Sequence, residues 1–296
     1  MLGWRLLMSA ILIPLVVGLF RLDQQLGPPA AILFGLCLLI AVRSAWELAD
    51  LLRTRHFQPC FPLTGTLSAL VVVAAWLPAL LQINQTPSLP ASLACLAAAV
   101  VASFLTLLAW EAWRFEEPGR SLEALGGELI SVLYAGALLG ITAQLRWFPQ
   151  SQPGYFALAS MIICVKAGDT CAYTFGRLWG KRKMAPRLSP GKTWMGLGGA
   201  VTGSVLGSWL WLTFAGQLFQ NSPQAASLPI VLLYGLTVGL AGLIGDLVES
   251  LIKRDVGRKD SAALMPGFGG LLDLVDSPLY AGPVALAWWT LLPPAA

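Results

Sequence analysis

Apolar residues follow one another along this chain in runs of about twenty, separated by short polar segments. A helix needs about 20 mostly apolar residues to cross the hydrocarbon core of a bilayer. The pattern predicts nine such helices, over residues 4–20, 28–48, 64–82, 90–110, 122–144, 154–175, 195–219, 228–251 and 270–292. The predicted fold class is therefore all-α, a polytopic integral membrane protein with about nine transmembrane helices.

Composition supports a membrane protein and excludes several other classes. The 296 residues are 56% hydrophobic and only 11% charged, against about 25% charged in soluble domains. A disordered chain, a coiled coil and a water-soluble globule are all incompatible with these values. The five cysteines are scattered, form no CxxC pair and predict small buried side chains rather than a zinc site.

The basic residues predict the orientation of the helices. With the N-terminus in the cytoplasm, 16 of the 19 Lys and Arg residues fall on the cytoplasmic side, Arg21 and Arg146 fall on the other side, and Lys166 lies within a span. Cytoplasmic loops are enriched in Lys and Arg. We therefore expect the polar loops 176–194 and 252–269 on the cytoplasmic face. We divide the chain into N-terminal helices (1–150, about five spans) and a C-terminal catalytic region (151–296).

Acidic residues in the C-terminal half recur at helical spacing. They form one stripe in span eight (Asp246, Glu249, then Ser250 and Lys253) and a second at the start of span nine (Asp273 and Asp276). Residues three or four apart share a helix face, and charged groups in a membrane helix usually face a protein interior or an aqueous cavity. Carboxylate oxygens suit Mg²⁺, so the stripes indicate a magnesium pocket. Ion pairing between helices and snorkelling at the interface are the alternatives.

The loop over residues 181–194 is basic and rich in turn-forming residues. Ser189, Lys192 and Thr193 at its end could bind phosphate through hydroxyl, ammonium and backbone N–H groups. The loop is not a Walker A motif, because Arg187 stands where the first glycine should be. Contact with anionic lipid is the alternative interpretation. Together with the acidic stripes, the loop indicates phosphoryl or nucleotidyl transfer to a lipid.

Two motifs in the C-terminal half resemble those of phosphatidate cytidylyltransferases (CDP-diacylglycerol synthases). The first comprises Gly245–Asp246, Glu249, Ser250, Lys253–Arg254, Lys259–Asp260–Ser261, Pro266–Gly267, Gly269–Gly270, Asp273 and Asp276–Ser277. The second comprises Asp169, Ala172–Tyr173, Phe175–Gly176–Arg177, Gly180, Ala185–Pro186 and Ser189 to Trp194. The resemblance covers about residues 165–285.

The resemblance implies a function, a cofactor and a set of partners. The function is CTP-dependent cytidylyl transfer to phosphatidate in phospholipid synthesis, by a bacterial-type inner-membrane enzyme whose active site faces the cytoplasm. The implied cofactor is Mg²⁺, with a second cation left open. The implied partners are CTP, phosphatidate from the bilayer and membrane lipids, with a homodimer left open and no nucleic acid.

The resemblance also assigns roles to residues by position. It implies that Asp246 and Asp273 bind the metal. The implied nucleotide-binding residues are Asp169, Ser189, Lys192 and Thr193. The implied catalytic residues are Lys253, Arg254, Lys259, Asp260 and Asp276.

The chain departs from the family pattern at several positions of the first motif. Phe268 and Ala263 replace histidines, Leu274 replaces an arginine, and Ala262 replaces a glycine. Apolar side chains cannot offset the charge of two phosphate-bearing substrates. The alternatives are therefore a divergent paralogue acting on another lipid phosphate, or a non-catalytic lipid-binding member of the family.

Overall fold

Helices make up most of this computed structural model, which describes residues 2–54, 59–81, 86–119, 121–148, 154–219, 224–264 and 269–295. The α-helices are α1 (Leu2–Leu26), α2 (Ala31–Arg53), α3 (Phe61–Leu81), α4 (Leu89–Trp113), α5 (Ser121–Val132), α6 (Leu138–Ala143), α7 (Phe156–Trp179), α8 (Trp194–Phe214), α9 (Leu228–Asp255) and α10 (Leu272–Leu291). Helix α6 is short and continues α5. A π-helical turn, Leu133–Ala137, joins α5 to α6, and 3₁₀ turns follow α6 (Gln144–Trp147) and α8 (Ala215–Leu218). The strands are β1 (Lys183–Ala185) and β2 (Ser189–Thr193).

The predicted all-α membrane fold is confirmed. Within the described residues, seven helical stretches are long and apolar enough to cross a membrane: α2, α3, α4, the stretch Ser121–Trp147, α7, α8 with its 3₁₀ turn, and α9. The protein is therefore an integral membrane protein. Helices α1 and α10 cover the predicted first and last spans but are not among the seven, so the number nine stays a prediction.

The chain forms two compact units. The first unit contains Met1–Gln144 and Asp255–Leu274, and the second contains Leu145–Arg254 and Val275–Ala296. Residues that are distant in sequence therefore fold together, because the segment after α9 belongs with the N-terminal helices. The sequence-based division at residue 150 stays a prediction.

Helices α2, α3 and α4 and the stretch after Ser121 pack together in the first unit. Val71, Ala75, Leu96, Leu107 and Val132 belong to one buried apolar cluster. The π-helical turn approaches α3 closely: a Cβ atom on Gly136 would lie 3.0 Å from the backbone of Ser68. Small residues let membrane helices approach at this distance.

Helices α7 and α8 of the second unit pack along a row of glycines. A Cβ atom on Gly199 would lie 2.6 Å from the carbonyl oxygen of Cys171, and one on Gly203 would lie 2.5 Å from that of Ala167. The two backbones are therefore in direct contact. The antiparallel hairpin β1–β2 connects the helices, and Lys183 pairs with Thr193 in its register.

Helices α9 and α10 also approach closely in the second unit. A Cβ atom on Gly245 would lie 2.6 Å from Cβ of Tyr280 and 2.9 Å from the carbonyl oxygen of Asp276. Asp246 follows Gly245 directly on α9. The missing side chain of Gly245 therefore brings the two aspartates, Asp246 and Asp276, into the same neighbourhood.

Candidate active site

Three carboxylates converge in the second unit. One oxygen each from Asp246, Glu249 and Asp276 lies within 4.8 Å of the other two. Glu249 and Asp276 are buried, with 1% and 5% of their surface exposed, whereas Asp246 is half-buried. Buried carboxylates need a cation or hydrogen-bond donors to offset their loss of hydration. The cluster is thus a concentrated negative site that opens at Asp246.

Three lysines form ion pairs within this cluster or beside it. The Nζ atom of Lys192 lies 3.0 Å from Oδ2 of Asp246, and the ammonium of Lys253 donates to Oε2 of Glu249 one helical turn away. Lys166 pairs with Asp169 on α7 at 3.3 Å. Lys166, Asp169 and Asp246 are all close enough to Asp276 to act on it electrostatically. Seven charged side chains of α7, β2, α9 and α10 therefore form one network.

The hairpin brings the predicted phosphate-binding loop to this network. Lys192 lies in β2, and its Nζ also donates to the carbonyl oxygen of Leu243 at 3.5 Å. From the end of α9, Arg254 donates its Nε to the carbonyl oxygen of Leu188, between the two strands, at 3.3 Å. Antiparallel pairing of β1 with β2 thus turns the basic loop back toward α9.

Thr193 has a local structural contact at the end of the hairpin. Its Oγ1 accepts a hydrogen bond from the backbone N–H of Gly196 at 3.0 Å and caps the N-terminus of α8. The residue is buried, with 3% of its surface exposed. Ser189 lies at the other end of β2, paired with Ala185, and is half-buried. The predicted nucleotide contacts of both residues stay predictions.

Asp273 lies in the first unit with a different set of partners. Its Oδ2 accepts hydrogen bonds from the backbone N–H of Ser261 at 2.9 Å, from the Ser261 hydroxyl at 2.7 Å and from the backbone N–H of Gly270 at 2.7 Å. Lys259 and Asp260 of the same segment are exposed. Because Asp246 belongs to the second unit, a metal ion shared by Asp246 and Asp273 stays a prediction.

Three side chains make contacts in the structure that the sequence analysis did not predict. Glu249 joins the carboxylate cluster, although the sequence analysis named it in the acidic stripe and the first motif without a site role of its own. Lys166 pairs with Asp169 beside the cluster, although it was placed only within a span. Glu47 on α2 is fully buried and accepts hydrogen bonds from the segment before α10. No local motif marks Glu47, whereas the spacing of Glu249 from Asp246 was visible in the sequence.

The substituted positions of the motif are described in part. Ala262 is half-buried, Ala263 is exposed, and Leu274 is half-buried near the start of α10. Phe268 lies outside the described residues, together with Met265, Pro266 and Gly267.

The carboxylate cluster has the chemistry of a magnesium site. Mg²⁺ prefers oxygen ligands at about 2.0–2.1 Å and is often held by one or two carboxylates together with substrate phosphates. An ion at that bond length holds opposite oxygens about 4.2 Å apart, and the three carboxylate oxygens here lie within 4.8 Å of one another. Asp246, Glu249 and Asp276 therefore fit the ion that the sequence predicted, and the part that the resemblance implies for Asp273 as a ligand stays a prediction.

The family to which the chain belongs follows from its match to a family profile. A profile of the cytidylyltransferase family matches residues 4–292. The chain belongs to the cytidylyltransferase family. The resemblance drawn from the two motifs is thereby confirmed. The profile match extends it over the N-terminal helices, which contain neither motif.

Individual relatives align over different lengths. A phosphatidate cytidylyltransferase of Pseudomonas aeruginosa is 31% identical over 294 residues, which cover 97% of each chain. A phosphatidate cytidylyltransferase of Haemophilus influenzae is 42% identical over 125 residues, 42% of each chain. The uncharacterized protein YnbB of Escherichia coli is 40% identical over 135 residues, which cover 45% of this chain and 42% of that protein. The matched region thus spans about two fifths of the last two relatives and nearly all of the first.

Proposed function

We propose that this protein transfers the cytidylyl group of CTP to phosphatidate, giving CDP-diacylglycerol and pyrophosphate for phospholipid synthesis. One observation carries the proposal. Four carboxylates and three lysines form one charged network in the second unit, within a chain that aligns over 97% of its length with a phosphatidate cytidylyltransferase. A structural membrane protein gains little from so many ionisable groups, which are expensive to bury.

The reaction needs no nucleophilic side chain. A phosphate oxygen of phosphatidate attacks the α-phosphorus of CTP and forms a new P–O bond. The bond between the α-phosphorus and the α,β-bridging oxygen breaks, and its electron pair leaves with pyrophosphate. Both substrates are anions, so the protein must offset their repulsion and the charge that develops in the transition state.

The charged residues of the second unit suit this task. We assign Asp246, Glu249 and Asp276 to a Mg²⁺ ion, which would neutralise phosphate charge and orient the triphosphate. Lys192 lies beside Asp246 and would bind a phosphate of CTP with its ammonium group. Lys253 stays paired with buried Glu249 and would fix the direction of that carboxylate. Asp169 would in turn hold Lys166 beside the cluster.

We further propose that the site faces the cytoplasm, on the strength of the bias of 16 basic residues to two between the two sides of the predicted topology. Single cysteines placed at Arg182 and Arg258, in a variant without the five native cysteines, should react with a membrane-impermeant maleimide only after the membrane is opened. A cysteine in place of Gln24, which lies in the last turn of α1 and on the predicted outer side of the first span (4–20), is the matched control and should react in intact cells. Labelling at either of the two arginine positions in intact cells contradicts the proposed orientation.

A direct assay tests the reaction. Purified protein in detergent is given CTP, Mg²⁺ and phosphatidate, and CDP-diacylglycerol and pyrophosphate are measured. We expect both products in equal amounts, and none when Mg²⁺ is replaced by excess chelator. Folded wild-type protein that forms neither product with phosphatidate contradicts the proposal.

A second candidate is cytidylyl transfer to another lipid phosphate. The observation that favours it is Leu274, which stands near the start of α10 where the family pattern has an arginine. The same assay with a panel of lipid monophosphates separates the two candidates, because only the second predicts faster turnover with an acceptor other than phosphatidate. Binding of phosphatidate without turnover of any acceptor identifies a non-catalytic lipid-binding member.

A further inference from the structure

The N-terminal helices have a defined connection to the signature segment, the part of the first motif between α9 and the start of α10, which the structure describes over residues 256–264 and 269–272. Glu47 lies on α2, and both of its carboxylate oxygens are used by residues that precede or begin α10. Oε1 accepts from the backbone N–H of Leu271 at 2.9 Å, and Oε2 accepts from the backbone N–H of Leu272 at 2.9 Å. The Ser261 hydroxyl lies 2.8 Å from Oε2. Glu47 is fully buried, so water does not compete for these contacts.

Ser261 bridges Glu47 to Asp273. Its hydroxyl lies within hydrogen-bond distance of Oε2 of Glu47 and Oδ2 of Asp273, at 2.8 and 2.7 Å, and its single proton serves one of them at a time. A Cβ atom on Gly270 would lie 2.0 Å from the hydroxyl oxygen and 2.2 Å from Oε2 of Glu47. Only glycine fits at position 270, so the chain passes directly over the Glu47 carboxylate.

Two further contacts lie on the same face of α2. Asp50 Oδ2 accepts from Nη1 of Arg258 at 2.5 Å, and the Thr54 hydroxyl lies 3.3 Å from the carbonyl oxygen of Val256. Glu47, Asp50 and Thr54 are at positions i, i+3 and i+7, which share a helix face. One edge of α2 therefore contacts the segment at residues 256, 258, 261, 271 and 272, on both sides of Lys259 and Asp260.

We propose that Glu47 is a positioning residue, which holds the signature segment in the conformation that the reaction requires. This role rests on the proposed function, because Lys259 and Asp260 matter only if the segment takes part in catalysis. A carboxylate is needed at position 47 because two adjacent N–H groups each require an acceptor oxygen. Glutamine offers one oxygen and one NH₂ group, and the NH₂ would face an N–H donor.

The test is Glu47→Gln, with Glu128→Gln as the matched control. Glu128 is also fully buried in the first unit and accepts from a backbone N–H at 3.0 Å, but the residue that donates this bond, Cys60, lies outside the signature segment. In Glu47→Gln, amide hydrogen exchange at Ser261, Gly270, Leu271 and Leu272 should be at least about tenfold faster, because these amides lose their acceptor or its support. Glu128→Gln should leave these four amides as in the wild type.

The kinetic measurement separates positioning from general destabilisation. In folded Glu47→Gln, kcat should fall by about 10²-fold with KM for CTP nearly unchanged. A misplaced group mainly loses the contacts that stabilise the transition state. Glu128→Gln should keep the wild-type kcat. Wild-type exchange at the four amides, or faster exchange with unchanged kcat, overturns the proposal.

Two further outcomes keep the two proposals distinguishable. If wild-type protein turns over no CTP, the proposed function fails while the exchange measurement still decides whether Glu47 holds the segment. If Glu47→Gln does not fold, Asp50→Asn tests the same helix face more mildly. It should speed exchange near Arg258 and lower kcat, and wild-type behaviour in both overturns the positioning role.

Discussion

Carboxylates of the two units have different partners. In the first unit they accept hydrogen bonds from the backbone, as Asp23 does from Ile32 and as Asp273 does from Gly270. Among the described residues, ion pairs of the same unit use arginine: Arg43–Glu47, Arg114–Glu111 and Arg258–Asp50. The described ion pairs of the second unit use lysine: Lys166–Asp169, Lys192–Asp246 and Lys253–Glu249.

This contrast distinguishes acids that hold the fold from acids available for chemistry. A backbone N–H cannot leave its carboxylate without deforming the chain, and the planar guanidinium of arginine favours fixed geometry. A lysine ammonium is a mobile point charge on a flexible stem, so a metal ion or a phosphate can replace its contact. We therefore expect substitutions of acids in the second unit to change the reaction, and substitutions in the first unit to change stability or position.

The largest effect should come from Asp246→Asn. The neutral amide removes one ligand from the carboxylate cluster, so turnover of CTP should fall by about 10³-fold or more, and Mn²⁺ affinity measured by electron paramagnetic resonance should fall by at least about tenfold. Asp23→Asn is the control, because Asp23 is a buried acid of the first unit that accepts from backbone groups. The folded control should keep wild-type turnover and Mn²⁺ affinity. Full activity in Asp246→Asn removes this residue from the metal site.

Asp273→Asn tests whether Asp273 is a structural acid, as the contrast between the two units predicts, or a metal ligand, as the motif implies. If Asp273 belongs with the structural acids of the first unit, the variant keeps Mn²⁺ affinity and loses protection at the Ser261 and Gly270 amides. If Asp273 is a metal ligand, as the motif implies, Mn²⁺ affinity falls as it does in Asp246→Asn. The second result would break the contrast between the two units.

The next largest effect should come from restoring the polar residues of the family pattern. Phe268→His combined with Leu274→Arg should raise turnover by about 10²-fold, because donors aimed at developing charge commonly contribute about 10²–10³-fold each. Leu274→Met, combined with the same Phe268→His, controls for side-chain shape without adding the positive charge. If the wild type has high turnover and the two polar residues lower it, the site is organised around Phe268 and Leu274.

The smallest effect should come from the helix cap at Thr193. Thr193→Ala removes the acceptor for the Gly196 N–H and should lower the free energy of unfolding by about 1 kcal/mol, seen as a lower thermal midpoint. Ser88→Ala, at the exposed N-cap of α4 in the first unit, is the matched control and should lower the free energy of unfolding by less than Thr193→Ala does. A raised KM for CTP in Thr193→Ala alone would show that the hydroxyl also serves the nucleotide, as the sequence predicted.

The helices were predictable because the bilayer imposes a simple rule. Each predicted span coincides with a helical stretch, from α1 to α10, since an apolar run of that length has few other stable structures in a membrane. The end of helix α9 shifted from its predicted position. The helix continues past residue 251 to Asp255, and Lys253 in the added turn pairs with Glu249 of the preceding turn.

The sequence by itself determined the membrane class, the family and the stripes of acids on α9 and α10, because these depend on composition, order and helical spacing. Only the tertiary structure decided which acids meet. Gly245 lets α9 approach α10, so Asp246 and Glu249 join Asp276, while Asp273, three residues earlier on the same helix, contacts Ser261 and Gly270. Glu47 meets Ser261 from more than 200 positions away in sequence. Helical periodicity specifies the face of a side chain, whereas the packing of other helices against that face determines its partner.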